Sequence, residues 1–282
     1  MVSMKLIDEW LKEDVPYFDL TTELLGTGEA AGSIAYFSRS PVTVSCVDEA
    51  AALLTRCGLT VTERAVSGQT LLSGETVIAA EGRTAGIHKA WRVTLSLLEY
   101  ACGISTRTAA LVAAAREAAP DIAVLTTRKI FPGTKAVSIA AVIAGGALPH
   151  RLGLGETVLI FDKHLEKIDG GYSGLAKRMP ALRRQACGKE ICVEVSAPEE
   201  ALLMTRAGAD ALQFDKVPQE KLTEIVTSVR AAALERGREI RLIAAGGVNA
   251  ENAGAYARTG VDAISTTWPY FGKPADMTVR IT

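Results

Sequence analysis

Charged side chains recur where short apolar runs, typical of buried β-strands, come to an end. Arg128 and Lys129 follow one such run. Glu194 lies near the end of a second run, and Asp215 follows a third. Ligands of parallel α/β sheets and barrels bind at the carboxyl ends of the strands. We therefore expect these cations and carboxylates to share one face of the protein.

The same residue types suit a phosphorylated ligand that is held through a divalent ion. Glu194 and Asp215 offer the oxygen atoms that Mg²⁺ prefers. Lys129 and the backbone amides of Gly246 and Gly247 suit phosphate oxygens. A helix cap at Asp215 and a tight turn at the glycine pair are the structural alternatives. Their shared position at strand ends favours a Mg²⁺–phosphate site.

A second set of side chains favours binding of a carboxylate. Arg128, His150 and Arg151 are basic, and arginine binds a carboxylate through two parallel hydrogen bonds. Asp162 and His164 directly follow another apolar run and are expected at the same face. For His150 an exposed loop is the structural alternative. Together the two sets predict a pocket for a phosphorylated, metal-chelating ligand and a carboxylate.

The elements that must position these residues alternate between strand and helix in the second half of the chain. Strand-like runs occur at 122–125, 158–161, 191–195, 211–214, 241–245 and 263–265. Helix-like stretches lie between them, which implies parallel strands joined by right-handed crossovers. Periodicity alone leaves a closed barrel and an open, doubly wound sheet as alternatives.

The first half of the chain has a different pattern. Residues 32–82 contain short β-branched runs separated by Gly, Ser and Pro, which indicates an antiparallel sheet in an α+β region. From His88 the pattern is helical, and we expect Gly103 to end that helix. A second, Ala-rich helix is expected at 106–119, before Pro120.

Composition argues against several classes of protein. The formal net charge is −1 and no basic stripe occurs, which argues against a nucleic-acid partner. The five cysteines show no C-x-x-C spacing, and their odd number fits free thiols in a reducing compartment. The longest apolar stretch, 136–148, is too short to cross a bilayer, and the first residues do not resemble a signal peptide. We therefore expect a cytoplasmic protein with no membrane partner.

Short motifs occur over nearly the whole chain in an informative order. They are Asp19-Leu20-Thr21-Thr22, Cys102-Gly103-Ile104-Ser105-Thr106, Thr127-Arg128-Lys129, Gly145-Gly146, His150-Arg151-Leu152-Gly153-Leu154, Val193-Glu194-Val195, Phe214-Asp215 and Gly246-Gly247. Each motif is short, but in this order and spacing the set resembles the quinolinate phosphoribosyltransferase family.

The resemblance implies an α/β fold and an assembly. It implies an N-terminal α/β sandwich domain at 1–105, an incomplete α/β barrel with the active site at 106–265, and a segment at 266–282 that returns to the first domain. It also implies a homodimer, in which Arg92 reaches the site of the neighbouring subunit.

The resemblance further implies a reaction. The family joins a pyridine carboxylate to phosphoribosyl pyrophosphate (PRPP) with the help of Mg²⁺ and releases pyrophosphate. Lys129, Glu194 and Asp215 match the positions that serve PRPP and its metal. The positions that line the acid pocket are matched by Arg92, Arg128, His150 and Arg151.

Departures from the family pattern lie at the same site. Phe161 occupies the place of a lysine that would hold a quinolinate carboxylate. Ala245 removes a hydroxyl beside the Gly246-Gly247 pair, and Thr267 replaces a glycine near the phosphate loop. These changes resemble a NadC-like paralogue associated with molybdenum transport more than a standard quinolinate enzyme.

Three functions are compatible with the sequence. The favoured one is a Mg²⁺-dependent phosphoribosyltransferase that acts on an aromatic or heterocyclic acid other than quinolinate. The second is an authentic quinolinate phosphoribosyltransferase, which makes nicotinate mononucleotide for NAD biosynthesis. The third is a non-catalytic protein that binds an oxyanion such as molybdate in the cationic pocket.

Overall fold

The computed structural model describes residues 2–282. Its helices are α1 (Met4–Asp14), α2 (Leu20–Leu25), α3 (Val47–Arg56), α4 (Thr84–Ala118), α5 (Lys135–Ala144), α6 (Asp162–Leu165), α7 (Gly171–Gln185), α8 (Pro198–Ala207), α9 (Gln219–Leu234) and α10 (Ala253–Ala257). Its strands are β1 (Ala31–Ser38), β2 (Val42–Thr43), β3 (Thr60–Arg64), β4 (Thr70–Leu71), β5 (Thr76–Arg83), β6 (Ala123–Thr126), β7 (Leu148–Pro149), β8 (Val158–Ile160), β9 (Ile191–Val195), β10 (Ala211–Asp215), β11 (Arg241–Ala245), β12 (Ala263–Thr266) and β13 (Met277–Ile281).

The chain divides into two compact units. The N-terminal unit consists of the chain up to Ala110, together with Ile130–Ala147 and Pro269–Thr282. The barrel unit consists of Leu111–Lys129 and Leu148–Trp268. Within residues 2–282, no helix combines the length and the apolar composition that crossing a bilayer requires.

The N-terminal unit contains a four-stranded antiparallel sheet in the order β13-β1-β5-β3. Along β1 the buried residues alternate, with Ile34 and Tyr36 facing the core. They pack in one cluster with Leu54 of α3 and Leu98 of α4. Burial of each such side chain stabilises the fold by about 1.5–3 kcal/mol, so this face fixes the register of the sheet.

Helix α4 runs without interruption through Gly103, so the expected helix end at this residue is wrong. Glycine costs a helix only about 1 kcal/mol relative to alanine. Packing explains the glycine, because a Cβ atom there would lie 3.0 Å from the carbonyl oxygen of Lys273 and 3.0 Å from the amide nitrogen of Ala275. Gly103 therefore allows the chain at 273–275 to approach the helix.

The barrel unit contains a seven-stranded sheet in the order β7-β6-β12-β11-β10-β9-β8, and all its strand pairs are parallel. This is the strand order of a barrel that is open between β7 and β8, because these two strands are not paired. The sheet curls into a half-barrel, which confirms the expected α/β class with an incomplete barrel.

A cluster of four buried side chains fills the half-barrel below the carboxyl ends of its strands. The cluster consists of Cys192, Ala211, Ile243 and Ala263. Towards the carboxyl ends, Asp215 pairs with Ala245 and Ala245 pairs with Ser265 in the strand register. Paired residues of parallel strands face the same side. The small residues at this level leave room for a ligand above the packed layer.

Candidate active site

The carboxyl ends of the parallel strands surround a cavity of about 620 Å³. Ten of the residues proposed from the sequence line it. They are Arg128, Lys129, His150, Arg151, Phe161, Glu194, Asp215, Gly246, Gly247 and Thr267. All belong to the barrel unit. The structure thus brings the proposed phosphate, metal and acid ligands together, while Arg92, Asp162 and His164 do not line this cavity.

Two carboxylates, Glu194 and Asp215, face the cavity from the adjacent strands β9 and β10. The Oε2 atom of Glu194 accepts a hydrogen bond from Nε2 of Gln213 over 2.9 Å. Burial raises the pKa of Glu194, and the negative charge of Asp215 raises it further. The deprotonated pair therefore concentrates negative charge that a cation would relieve.

The two carboxylates fit Mg²⁺ only together with oxygen atoms from a ligand. Across residues 2–282, no cluster of three or more His, Cys, Asp or Glu side chains is arranged to hold a metal ion. Mg²⁺ is commonly bound by one or two carboxylates, by water and by substrate phosphates. Glu194 and Asp215 therefore suit an ion that enters with a phosphorylated substrate.

Three basic side chains at the cavity, Arg128, Lys129 and Arg151, are kept apart from carboxylates. In the described part of the chain, none of the three has a carboxylate oxygen within 4.0 Å, whereas Arg183 pairs with Asp210 at 2.7 Å. Burial, and then the charge of Arg128, lower the pKa of Arg151. These cations are therefore available to an anionic ligand.

His150 contributes a neutral imidazole. Its backbone N–H donates a hydrogen bond to the carbonyl oxygen of Thr126 over 2.8 Å, which holds it beside β6. Burial lowers its pKa from 6.5, and the neighbouring Arg151 lowers it further. At neutral pH the ring therefore serves as a hydrogen-bonding group, and the positive charge at this side of the cavity comes from the arginines.

The glycine pair forms a loop that packs tightly against the end of β10. Gly246 has φ 88° and Gly247 has φ 78°, both in the left-handed region that favours glycine. A Cβ atom on Gly246 would lie 2.5 Å from Cγ of Lys216 and 2.8 Å from Oδ1 of Asp215. Lys216 is itself left-handed and donates its N–H to the carbonyl oxygen of Ala245. Gly246 is therefore needed for close packing as well as for the turn.

Thr267 braces the turn that carries Lys129. Its Oγ1 atom lies 2.8 Å from Oγ1 of Thr127. The same Thr127 oxygen accepts a hydrogen bond from the Lys129 backbone N–H over 3.2 Å. The threonine at 267 thus joins the ends of β6 and β12 through its hydroxyl.

Phe161 forms part of the cavity wall, and His164 supports it from outside the lining. The two rings meet edge to face with their centroids 4.2 Å apart. The Phe161 N–H also donates to Nδ1 of His164 over 3.3 Å. Asp162 is exposed in the first turn of α6. Of these three residues, only Phe161 lines the cavity.

Arg92 lies on α4 in the N-terminal unit. It is exposed, and its guanidinium carbon lies 4.3 Å from the centroid of the Trp91 ring. The same unit has a larger groove, of about 1100 Å³, lined by residues between Phe18 and Lys89. That groove contains none of the proposed site residues, so we place the chemistry in the barrel cavity despite its smaller volume.

Ten further lining residues were not among the site residues proposed from the sequence, although Ala245 was noted there as a departure from the family pattern. They are Thr127, Leu159, Gln213, Lys216, Ala245, Val248, Asn249, Ser265, Thr266 and Trp268. Gln213 had a usable signal, because it is a polar residue in an apolar run and stands two positions before Asp215. Residues two apart on a strand share a face. Trp268 lies two residues after the end of β12, so the two-residue spacing along a strand could not have identified it.

Comparison with known sequences gives a consistent result. Residues 19–102 match the profile of the quinolinate phosphoribosyl transferase N-terminal domain, and residues 104–280 match that of the C-terminal domain. A relative from Escherichia coli named as a pyrophosphorylase, ModD, is 35% identical over 282 residues, covering 99% of this chain and 97% of the relative. ModD of Rhodobacter capsulatus is 37% identical over 250 residues, covering 89% and 94%.

A solved structure shares the fold. The nicotinate-nucleotide pyrophosphorylase from Francisella tularensis superimposes with a TM-score of 0.88, covering 100% of this chain and 98% of that one. The two chains are 24% identical. This similarity therefore concerns the architecture of both units rather than the choice of substrate.

Proposed function

The chain belongs to the quinolinate phosphoribosyltransferase family, and from that premise we propose that it transfers the phosphoribosyl group of PRPP to an aromatic or heterocyclic acid with the help of Mg²⁺. The observation that carries the proposal is the convergence of Lys129, Glu194 and Asp215 on one cavity. Two carboxylates beside unpaired cations suit a sugar pyrophosphate with its metal ion, because each group meets its opposite charge.

The reaction is a displacement at the C1 atom of the ribose. A ring nitrogen of the acid gives its lone pair to C1 while the bond from C1 to the pyrophosphate oxygen breaks. Pyrophosphate leaves with those electrons, and Mg²⁺, when bound, offsets the charge that develops on it. Lys129 contributes a fixed positive charge at the same place, and such a donor is worth about 2.7–4 kcal/mol in other active sites.

The test is turnover of PRPP with a panel of aromatic acids, followed by pyrophosphate release. We expect calorimetry to detect PRPP binding that requires Mg²⁺. Lys129→Ala is expected to lower kcat/KM by about 100–1000-fold, and Lys177→Ala, at an exposed position on α7, is the matched control. Absence of PRPP binding at millimolar concentration with Mg²⁺ would overturn the proposal.

We also propose that the protein acts as a homodimer, with Arg92 of each subunit completing the partner's acid pocket. Exposure of Arg92 on α4 supports this arrangement. Co-expression of Arg92→Ala and Glu194→Gln chains tests it, because half of the dimers would be mixed and each would hold one intact site. We expect about one quarter of wild-type activity from the mixture, and no recovery would argue against a shared site.

An oxyanion-binding function is the alternative that the unpaired cations favour. Arg128, Lys129 and Arg151 suit a tetrahedral oxyanion such as molybdate. Glu194 and Asp215 oppose it, since they repel an anion that arrives without a metal ion. Calorimetry with molybdate, sulfate and PRPP in parallel distinguishes the two functions. A link to molybdenum transport stays a prediction of the resemblance, and a cytoplasmic location stays a prediction of the composition.

A further inference from the structure

Resting on the transferase function proposed above, we infer that the acceptor is a heteroaromatic acid with a single carboxylate, and that Phe161 excludes a second carboxylate on the adjacent ring carbon. Charged and apolar side chains both line the same cavity, and their distribution determines which acids it can hold.

One wall of the cavity is apolar. Leu159 and Phe161 line it, and they come from β8 and the residue that follows it. Ile160 pairs with Val193 in the register of β8 and β9, so Phe161 lies next to Glu194. A ligand group directed at Leu159 and Phe161 meets carbon atoms, which cannot neutralise a negative charge on the ligand.

The phenyl ring of Phe161 is fixed in position. Its backbone N–H donates to Nδ1 of His164, and its ring meets the His164 ring edge to face with centroids 4.2 Å apart. The side chain is half-buried. The wall is therefore held in place at the first turn of α6, and His164 acts as a positioning residue for it.

Two arginines at the same cavity offer a place for one carboxylate. Arg128 and Arg151 line the same cavity, and the charge of Arg128 lowers the pKa of Arg151. Neither guanidinium has a carboxylate partner within 4.0 Å in residues 2–282. An arginine binds a carboxylate through a fork of two hydrogen bonds. His150 adds a neutral hydrogen-bonding group beside them.

We infer that a planar acid directs its carboxylate at the arginines and its ring nitrogen at the sugar. The edge of the ring that carries neither group then lies against Phe161. A second carboxylate on that edge would lie against the Phe161 ring, which offers neither a hydrogen-bond donor nor a positive charge, and this is unfavourable. The acceptor nitrogen forms its bond to C1 and pyrophosphate leaves with the electrons of the broken bond. The single carboxylate stays on the product, so no CO₂ is released.

The experiment compares pyridine-3-carboxylate with pyridine-2,3-dicarboxylate. Calorimetry measures PRPP binding with Mg²⁺, then the affinity of each acid for the PRPP-bound protein, and pyrophosphate release gives kcat/KM. We expect the monocarboxylate to be favoured by about a hundredfold. Phe161→Lys is expected to improve use of the dicarboxylate by at least about tenfold, while Phe161→Leu keeps the original preference. Thermal unfolding confirms that both variants fold.

Two results would overturn the inference: preference of the wild-type protein for the dicarboxylate, in affinity or in turnover, or an unchanged preference in a folded Phe161→Lys variant. Lack of PRPP binding would overturn the transferase function itself. PRPP binding combined with preference for the dicarboxylate would overturn only the specificity that we assign to Phe161.

Discussion

The side-chain amide of Gln213 donates a hydrogen bond to the carboxylate of Glu194 over 2.9 Å, and the two residues are directly paired on neighbouring parallel strands. The amide fixes one carboxylate oxygen by donating to it. The hydroxyl of Tyr172 also donates to the Glu194 backbone oxygen over 2.9 Å, which holds the strand at this point. Glu194 is thus oriented before any ligand arrives.

Gln213→Leu is expected to weaken Mg²⁺-dependent PRPP binding by about tenfold or more, since a hydrogen bond to a charged group contributes about 1.5–3 kcal/mol. Titration of PRPP at several Mg²⁺ concentrations measures the effect. Gln185→Leu, at an exposed position near the end of α7, is the control. Equal PRPP affinity in wild type and Gln213→Leu would show that this orientation is unimportant.

Activity should fall in acid as Glu194 becomes protonated. Burial and the charge of Asp215 raise the pKa of Glu194 above 4.5, so the loss is expected to begin at a higher pH than for an ordinary glutamate. A pH profile of PRPP affinity with Mg²⁺ measures it. The acid limb should disappear from the residual binding of Glu194→Gln, and its persistence there would assign the titration to another group.

The same raised pKa predicts that stability falls as pH rises, whereas activity falls as pH drops. Because the folded state holds the proton of Glu194 more tightly than the unfolded state, the contribution of this group to stability is lost as pH rises through the raised pKa. Without ligands, Glu194→Gln is therefore expected to melt about 2–4 °C above wild type at pH 7 and level with it at pH 4. Glu199→Gln, exposed on α8, is the control.

The glycine loop offers a matched pair of variants. Gly246→Ala places a Cβ atom 2.5 Å from Lys216 Cγ and 2.7 Å from the Lys216 nitrogen, whereas the same position on Gly247 meets no atom within 4 Å. Both alanines carry a left-handed penalty of about 1–2 kcal/mol. Only Gly246→Ala adds a steric cost of about 1–3 kcal/mol. Urea unfolding measures both, and equal losses would contradict the packing role of Gly246.

Gly103→Ala tests the close approach to α4. In an ordinary helix this change would stabilise by about 1 kcal/mol. Here the new methyl group lies 3.0 Å from the backbone at Lys273 and Ala275, so we expect destabilisation and a lower melting temperature. A stabilised variant would show that the segment moves away at little cost.

Part of the candidate site can be predicted from the sequence, because the end of each strand is recognisable from the local pattern of residues. Lys129 follows its strand by three residues, Asp215 is the last residue of β10, and Glu194 lies one residue before the end of β9. Parallel strands end at a common edge, so strand assignment alone brings such residues together. Periodicity alone did not decide between a closed barrel and an open sheet, because the missing pairing between β7 and β8 is a property of the whole assembly. The incomplete barrel was predicted only by the family resemblance.

Other features depend on contacts that a linear pattern does not contain. The sequence pattern predicts a helix end at Gly103. In the structure, glycine is needed there because residues 273–275, which are distant in sequence, pack against the helix. His164 reads as a ligand, yet its ring packs on Phe161 and does not line the cavity. Gln213 was hidden by the apolar residues around it, although its spacing from Asp215 placed it on the cavity side.

Strand β13 pairs with β1, so the first and last strands of the chain are neighbours in one sheet. During synthesis, β1 emerges from the ribosome well before β13, and until β13 is made the edge of β1 that pairs with it is unpaired. Such an edge recruits strands from other nascent chains, and the long loop that must close slows productive folding. The unit that is made first is therefore completed last, and chaperone dependence is expected to be concentrated in that interval.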